Sequence, residues 1–137
     1  MQIIDGSTKH PLPAKVICTQ KTWITGAGNA AQTETAYGLT GKLVRVDVII
    51  SSVTNNPTVV VTFRDQNSCI IIPDALCAAL ADGTNHILLT ESNKSTMDAD
   101  FDPVMLCDSD ITVSMDPSAD AGGTSQTLAV QVIFYLE

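Results

Sequence analysis

The sequence predicts an all-β protein, an antiparallel β-sandwich of jelly-roll-like type with about eight strands. Three observations favour this class. Apolar segments alternate with a period of two residues, and clusters of Gly, Pro, Asn and Asp separate them. Uncharged polar residues dominate, with 16 Thr, 10 Ser, 6 Asn and 6 Gln against 7 basic and 15 acidic residues. Thr and Val suit a pleated sheet, whereas Lys and Glu favour helices.

The chain of 137 residues has the length of one domain. Residues 1–13 mix apolar residues with Gly and Pro without a period, and we expect them to form an extended N-terminal arm. Residues 14–137 are expected to form a single β-sandwich domain. Within it, residues 15–25 (KVICTQKTWIT) predict a strand, and residues 26–36 (GAGNAAQTETA) predict a loop of small residues.

The clearest alternation runs through residues 39–53 (LTGKLVRVDVIISSV). It places four β-branched residues on one face, Val44, Val46, Val48 and Ile50, which indicates a half-buried strand. The segment TNNPT then has turn chemistry. The next strand, TVVVTFRD, directs Val59, Val61 and Phe63 to one side. The two strands and their short loop predict a β-hairpin.

The remaining segments predict short strands and turns. A turn (RDQNS) precedes a short strand at residues 69–73 (CIIIP), and residues 74–80 (DALCAAL) are the one candidate for a short helix, with Asp74 as its cap. HILLTES, VMLCD and DITVSM predict strands, the last with Ile111, Val113 and Met115 inward. Residues 92–103 predict a polar loop, and residues 126–136 the final strand.

The net charge of −8 disfavours a phosphate backbone as a partner, so we expect no direct binding to nucleic acid. No apolar run approaches the roughly 20 residues that span a bilayer, and we expect no membrane partner. The start of the chain lacks a basic segment followed by an apolar one, which predicts no signal peptide and synthesis in a cytoplasm.

Catalytic and metal-binding motifs are sparse, and we expect a protein that is not an enzyme and holds no cofactor. His86 with one of the Asp residues is the one plausible acid–base pair. The alternating carboxylates of Asp98, Asp100 and Asp102 resemble the start of a calcium loop. The EF-hand pattern then fails, because Pro103 stands where Gly is required and Ser109 where Glu is required. A solvated acidic loop is the alternative to a Ca²⁺ site.

Several apolar residues are candidates for partner binding. Ile3, Ile4 and Leu12 in the arm would anchor it on a neighbour. Trp23, the single Trp, is either an interface residue or part of the core. The cysteines at 18, 69 and 107 lie in apolar runs, which predicts buried free thiols, with a disulfide as the alternative.

From Gly41 onwards the pattern resembles small virion proteins of tailed bacteriophages. The strand start G-x-L-x-x-V-x-V is carried by Gly41, Leu43, Val46 and Val48, and a strand with an Asp-containing turn by residues 59–67. A Pro-Val step at Pro103 and Val104 leads into the strand Ile111–Ser114, and the resemblance closes with an aromatic-rich strand end at residues 130–136 (VQVIFYL).

This resemblance implies a structural role in a virion. It implies a capsid decoration or cement protein, located on the capsid surface, that binds the major capsid protein or neighbouring virion subunits as a homo-oligomer, most simply a trimer. A phage tail or fibre component, or a carbohydrate-binding β-sandwich module, is the alternative. Hydroxyl and small side chains are less costly to desolvate than ions, which independently favours extensive contacts.

Overall fold

Seven antiparallel strands and one short 3-10 helix make up the part of the chain that the computed structural model describes, residues 14–89 and 104–137. The predicted all-β antiparallel sandwich is confirmed. In chain order the elements are β1 (Ala14–Ile17), β2 (Lys21–Ile24), β3 (Gln32–Ile50), β4 (Val59–Arg64), the 3-10 helix η1 (Asp74–Cys77), β5 (Gly83–Leu88), β6 (Met105–Pro117) and β7 (Thr127–Leu136).

The strands form two layers that share one strand. In the larger sheet, β7 pairs on one side with β1 and β2 and on the other with the second half of β3, which in turn pairs with β5. In the three-stranded sheet, the first half of β3 pairs with β6, and β6 pairs with β4. Strand β3 therefore belongs to both layers.

Three irregularities let β3 pass from one sheet to the other. The first irregularity lies between Ala36 and Leu39, where β3 has one residue more than β6, at Gly38. The second lies between Leu39 and Gly41, where the extra residue is on β6, at Asp108, whose φ is 48°. A third shift, between Leu43 and Arg45, is against β7. Such bulges bend a strand and increase its twist, which is how strands turn a sandwich corner.

The third bulge also corrects the predicted alternation of β3. Val44 was expected among the inward residues, but Leu43 is fully buried and Val44 is half-buried. The extra residue changes the phase, because side chains alternate with a period of two. Beyond the bulge, Val46, Val48 and Ile50 face the core as predicted.

Apolar side chains from both sheets meet in one core. The predicted inward residues of β4, β6 and β7 are all buried: Val59, Val61, Phe63, Ile111, Val113, Met115, Leu128, Val130, Val132, Phe134 and Leu136. Phe63 and Phe134 join the layers edge to face, with ring centroids 5.9 Å apart. A fully buried apolar side chain of this size contributes about 1.5–3 kcal/mol to the free energy of unfolding.

The predicted β-hairpin is wrong. Strand β4 pairs with β6 rather than with β3, so the intervening segment crosses from one sheet to the other. The crossing is held by its own polar groups. The Val53 amide donates to Asn56 Oδ1 at 2.9 Å, and the Asn55 amide donates to the Ala121 carbonyl at 2.9 Å.

Residues 69–80 also differ from their prediction. Residues 69–73 form no strand, and the only pairing there is an isolated bridge between Ile70 and Arg64. The helix is one 3-10 turn without a side-chain cap. Asp74 instead accepts two hydrogen bonds of 2.8 Å from the Arg64 guanidinium, which lowers the pKa of its carboxyl.

Three strand boundaries differ as well. The predicted small-residue loop at 26–36 is shorter, because β3 already begins at Gln32. VMLCD and DITVSM form one strand, β6, with the Asp108 bulge between them. The predicted strand at 15–25 is divided into β1 and β2. Ile17 and Lys21 are four positions apart in the chain, whereas their partners on β7, Ile133 and Val130, are three positions apart, so the two strands are separated by one extra residue.

A substitution at Gly41 tests how closely the chain packs at the corner of the sandwich. Its φ is +123°, and a β-carbon there would lie 3.0 Å from the carbonyl oxygen of Glu137. We expect Gly41→Ala to lower the free energy of unfolding by about 2–3 kcal/mol, because it adds a close contact to a strained backbone. Gly26→Ala is the matched control, because Gly26 has a φ of +84° with open space around it. Chemical denaturation should give the control a smaller loss, of about 1–2 kcal/mol; equal losses would contradict the role of the contact.

Candidate functional site

The outward side of the three-stranded sheet carries a patch of hydroxyl groups, here called the hydroxyl face. It consists of residues from three neighbouring strands: Thr33, Thr35, Thr62, Thr112 and Ser114. Strand register aligns them in rows, since Thr33 and Thr62 both oppose Ser114, and Thr35 opposes Thr112. The hydroxyls of Thr35 and Thr112 are 3.2 Å apart and hydrogen-bond each other. Because these groups are uncharged, covering them costs far less than covering ions.

At one end of the hydroxyl face lies an exposed aromatic ring. Tyr37 follows Thr33 and Thr35 in the alternation of β3 and is 76% exposed. Beside it, the Gly38 amide donates to Asp110 Oδ1 at 3.0 Å. The Asp110 amide donates to Gln66 Oε1 at 3.1 Å. These bonds fix the Asp110 carboxylate at the residue that follows Tyr37, and the Gln66 amide at the backbone of Asp110.

The outward side of the larger sheet carries a charged cluster. Asp47 is only 4% exposed, and its Oδ1 is 2.7 Å from His86 Nδ1, on the residue opposite it in β5. Arg45 Nε lies 3.1 Å from the same oxygen but is not aligned for a hydrogen bond. The Arg45 guanidinium stacks on Tyr135, 4.1 Å from the ring centroid, so the carboxylate lies between the Arg45 guanidinium and the His86 imidazole.

The structure thus identifies the Asp that accompanies His86 as Asp47. A carboxylate bound to Nδ1 orients an imidazole as in a general base. A nucleophile must then lie within reach of the other ring nitrogen. In the described parts of the chain, no Ser, Thr or Cys side chain hydrogen-bonds His86. The pair explains how His86 is held.

Trp23 is a core residue rather than an interface residue. Its side chain is 5% exposed, and its indole Nε1 donates to the Ala30 carbonyl at 2.7 Å. The register of β2 explains this position, because Trp23 opposes the inward Leu128 of β7. Its outward neighbour Ile24 is 57% exposed, and Ile17 on β1 is 54% exposed. These two isoleucines, which composition alone does not single out, are the exposed apolar residues along this edge.

The cysteines divide into two kinds. Cys18 and Cys77 are buried free thiols. Burial raises the pKa of Cys18 to about 11 and that of Cys77 to about 12. Cys69 and Cys107 were also expected in buried apolar runs, but both are exposed. Cys69 lies in a turn rather than a strand, and Cys107 is on the outward side of β6 next to the buried Leu106.

Asp120 joins the loops at one end of the sandwich. Its carboxylate accepts backbone hydrogen bonds of 2.9 Å from Gly122 and from Gly26. Together with the Gly28 amide, these bonds lower the pKa of Asp120. Thr25 Oγ1 donates to the Gly122 carbonyl in the same region, at 2.8 Å. The loops that follow β2 and β6 are therefore tied to each other through backbone amides and one carboxylate.

Several candidates lie outside the described residues: Ile3, Ile4 and Leu12 of the expected arm, and Asp98, Asp100 and Asp102 of the expected acidic loop. Within residues 14–89 and 104–137, no group of three or more His, Cys, Asp or Glu side chains is arranged to hold a metal ion. Over the same ranges, no helix is long and apolar enough to cross a membrane.

Thiol labelling tests the assignment of the cysteines. Iodoacetamide applied to the folded protein at about pH 8 should modify Cys69 and Cys107, because reaction requires an accessible thiolate. Cys18 and Cys77 should react only after unfolding in guanidinium. Mass spectrometry of the peptides distinguishes the four sites, and rapid labelling of Cys18 or Cys77 in the folded protein would contradict the assignment.

The backbone hydrogen bonds that Asp120 accepts predict that the stability of the fold depends on pH. The folded-state pKa of Asp120 lies below its ordinary value of 3.8. Its stabilising contribution is therefore complete above about pH 4 and is lost as the pH falls through the lower, folded-state pKa. Asp120→Asn should reduce the Tm at neutral pH, and its difference from the wild type should shrink in acid. The exposed Asp116 supplies the control variant, Asp116→Asn, for which we expect a Tm close to that of the wild type. If the Tm difference between Asp120→Asn and the wild type were the same at all pH values, the stabilising role of the Asp120 hydrogen bonds would be refuted.

Comparison with known proteins adds no identification. The chain matches no protein-family model, no curated protein and no solved structure.

Proposed function

We propose that the chain is a non-enzymatic structural protein of a bacteriophage virion, a capsid decoration or cement subunit that binds the major capsid protein. The observation that carries the proposal is the hydroxyl face. It covers three strands with uncharged side chains. Arg64, opposite Thr112 in the same row, is already paired with Asp74 through two hydrogen bonds of 2.8 Å. A partner can therefore cover the face without removing water from an unpaired ion, whose desolvation costs much more than that of hydroxyl groups.

A second surface lies on the opposite side of the sandwich. Ile17 and Ile24 face outward along the edge strands of the larger sheet. Each is about half exposed, and covering the remaining area contributes roughly 1 kcal/mol per side chain. A cement subunit has to contact more than one neighbour. Adhesive surfaces on opposite sides of one sandwich suit that requirement, and they also suit a closed homotrimer in which each copy meets two others.

The proposal predicts many copies of the chain in the virus particle. Particles assembled from the genome that encodes this chain are purified on a gradient, and their proteins are quantified by mass spectrometry. A decoration protein should be present in a fixed ratio to the major capsid protein, in hundreds of copies. A few copies per particle would instead indicate the tail or fibre alternative. Absence from the particles would overturn both.

Variants then locate the binding surface. Ile24→Asp should weaken co-sedimentation with capsids that lack the protein, because a charge would have to be buried. Met105→Asp is the matched control, since Met105 is 71% exposed but lies opposite Lys42 at the corner of the sandwich, away from both surfaces. Removal of residues 1–13 should abolish co-sedimentation while thermal unfolding remains cooperative. Full binding after that deletion would eliminate the proposed role of the arm.

A further inference from the structure

We propose that Tyr37, Gln66 and Asp110 form a binding site for a neutral saccharide, here called the Tyr37 site. It lies at the end of the hydroxyl face, with Thr35 and Thr112 beside it. This activity goes beyond a structural role, and it does not depend on whether the chain is a capsid or a tail protein. Because Thr35 and Thr112 also belong to the hydroxyl face, a saccharide at the site and a partner that covers the whole face exclude each other.

The first reason is the exposure of the ring. Four of the five aromatic residues described are engaged: Trp23, Phe63 and Phe134 are buried, and Tyr135 is covered by Arg45. Tyr37 is the exception, with 76% of its surface open. An exposed aromatic face offers a flat apolar surface with a polar tip. The C–H face of a sugar ring is a partner of that shape and polarity.

The second reason is a pair of planar polar groups, Asp110 and Gln66, that hydrogen bonds hold in order near residue 37. Asp110 Oδ1 accepts the Gly38 amide, which fixes the carboxylate next to the residue that follows Tyr37. Gln66 must direct its oxygen to the Asp110 amide, so its Nε2 is turned away as a donor. Side chains ordered before binding lose less conformational entropy when a ligand arrives.

The two groups also have complementary hydrogen-bonding roles. A carboxylate oxygen accepts a hydrogen bond, and an amide nitrogen donates one. Neighbouring hydroxyls of a sugar can donate to the first and accept from the second. The hydroxyls of Thr35 and Thr112, 3.2 Å apart, add groups that can do either. A saccharide that stacks on Tyr37 can therefore extend along the sheet toward groups that match its hydroxyls.

Charge selects a neutral sugar over an acidic one. Asp110 is an acidic side chain in the site, and the whole chain carries a net charge of −8. The nearest cation in the rows of the sheet is Arg64, opposite Thr112. Arg64 is already paired with Asp74 through two hydrogen bonds of 2.8 Å. The site thus has no uncommitted cation in the described residues to balance a sugar carboxylate.

Nuclear magnetic resonance titration of the full-length ¹⁵N-labelled protein tests the site. The probes are methyl glycosides of glucose, galactose, mannose and N-acetylglucosamine, with sialic acid as the acidic comparison. At least one neutral probe should shift the amide signals of Gly38, Asp110 and Thr112 in a saturable way. Tyr37→Ala should weaken that binding about tenfold or more, since stacking is lost. Tyr37→Phe, which keeps the ring, should stay within about threefold.

Ile24→Ala, at an exposed apolar residue of the larger sheet, is the control and should bind as the wild type does. A Tm within error of the wild type confirms that Tyr37→Ala is folded; a reduced Tm moves the test to Asp110→Asn, which should also weaken binding. The proposal is overturned if none of the neutral probes shifts these signals, if Tyr37→Ala binds as tightly as the wild type, or if sialic acid binds best. Particle composition is measured separately, so either proposal can fail alone.

Discussion

The architecture depends on strand β3 being shared by two sheets. Its first half pairs with β6 and its second half with β7 and β5. A strand that passes from one layer to the other must keep its apolar side toward the core while its direction changes. A regular period of two cannot do this around a corner, and single-residue bulges adjust the phase. Gly38 and Gly41 allow the required positive φ angles of 66° and 123°.

The sequence was informative about strands and uninformative about which strands pair. Alternation identified the inward residues of β4, β6 and β7, because one buried face leaves a period of two. The hairpin prediction failed because a short turn between two strands is equally compatible with a crossing to the other sheet. The start of β3 was missed because Gly, Ala and Thr dominate it, and its inward residue Ala36 is small. Bulges leave no signal of their own beyond scattered glycines.

For the candidate surfaces too, the sequence predicted which residues face outward but not which of them lie together. Thr and Ser on strand positions predicted a polar outward face, and the hydroxyl face is its counterpart in the structure. Sequence could not join Tyr37 to Gln66 and Asp110, because backbone hydrogen bonds across strands bring them together. It could name His86 with some Asp, but the partner followed only from the register that places Asp47 opposite it. A slip of that register would leave a buried carboxylate without its partners, at a cost of several kcal/mol. The pair therefore helps to fix how β5 aligns with β3.

The excess of Asp over Glu, 12 against 3, has a structural explanation in the loops. A short carboxylate can reach backbone amides a few residues away, which makes Asp a turn-building residue. Asp65 accepts the amides of Asn67 and Cys69, and Asp120 those of Gly26 and Gly122. Negative charge is thereby placed in turns at the ends of strands, where it stabilises local backbone. The five residues of the hydroxyl face are uncharged, and Asp110 and Asp116 lie at the two ends of its row on β6. The acidity of the chain is thus compatible with a face that a neutral partner covers. Other carboxylates lie on strands, such as Asp47 on β3 and Asp110 on β6, where each is held singly by neighbouring residues. Among the described residues, the acidity of the chain is therefore dispersed over separate backbone and side-chain partners rather than gathered in a metal site.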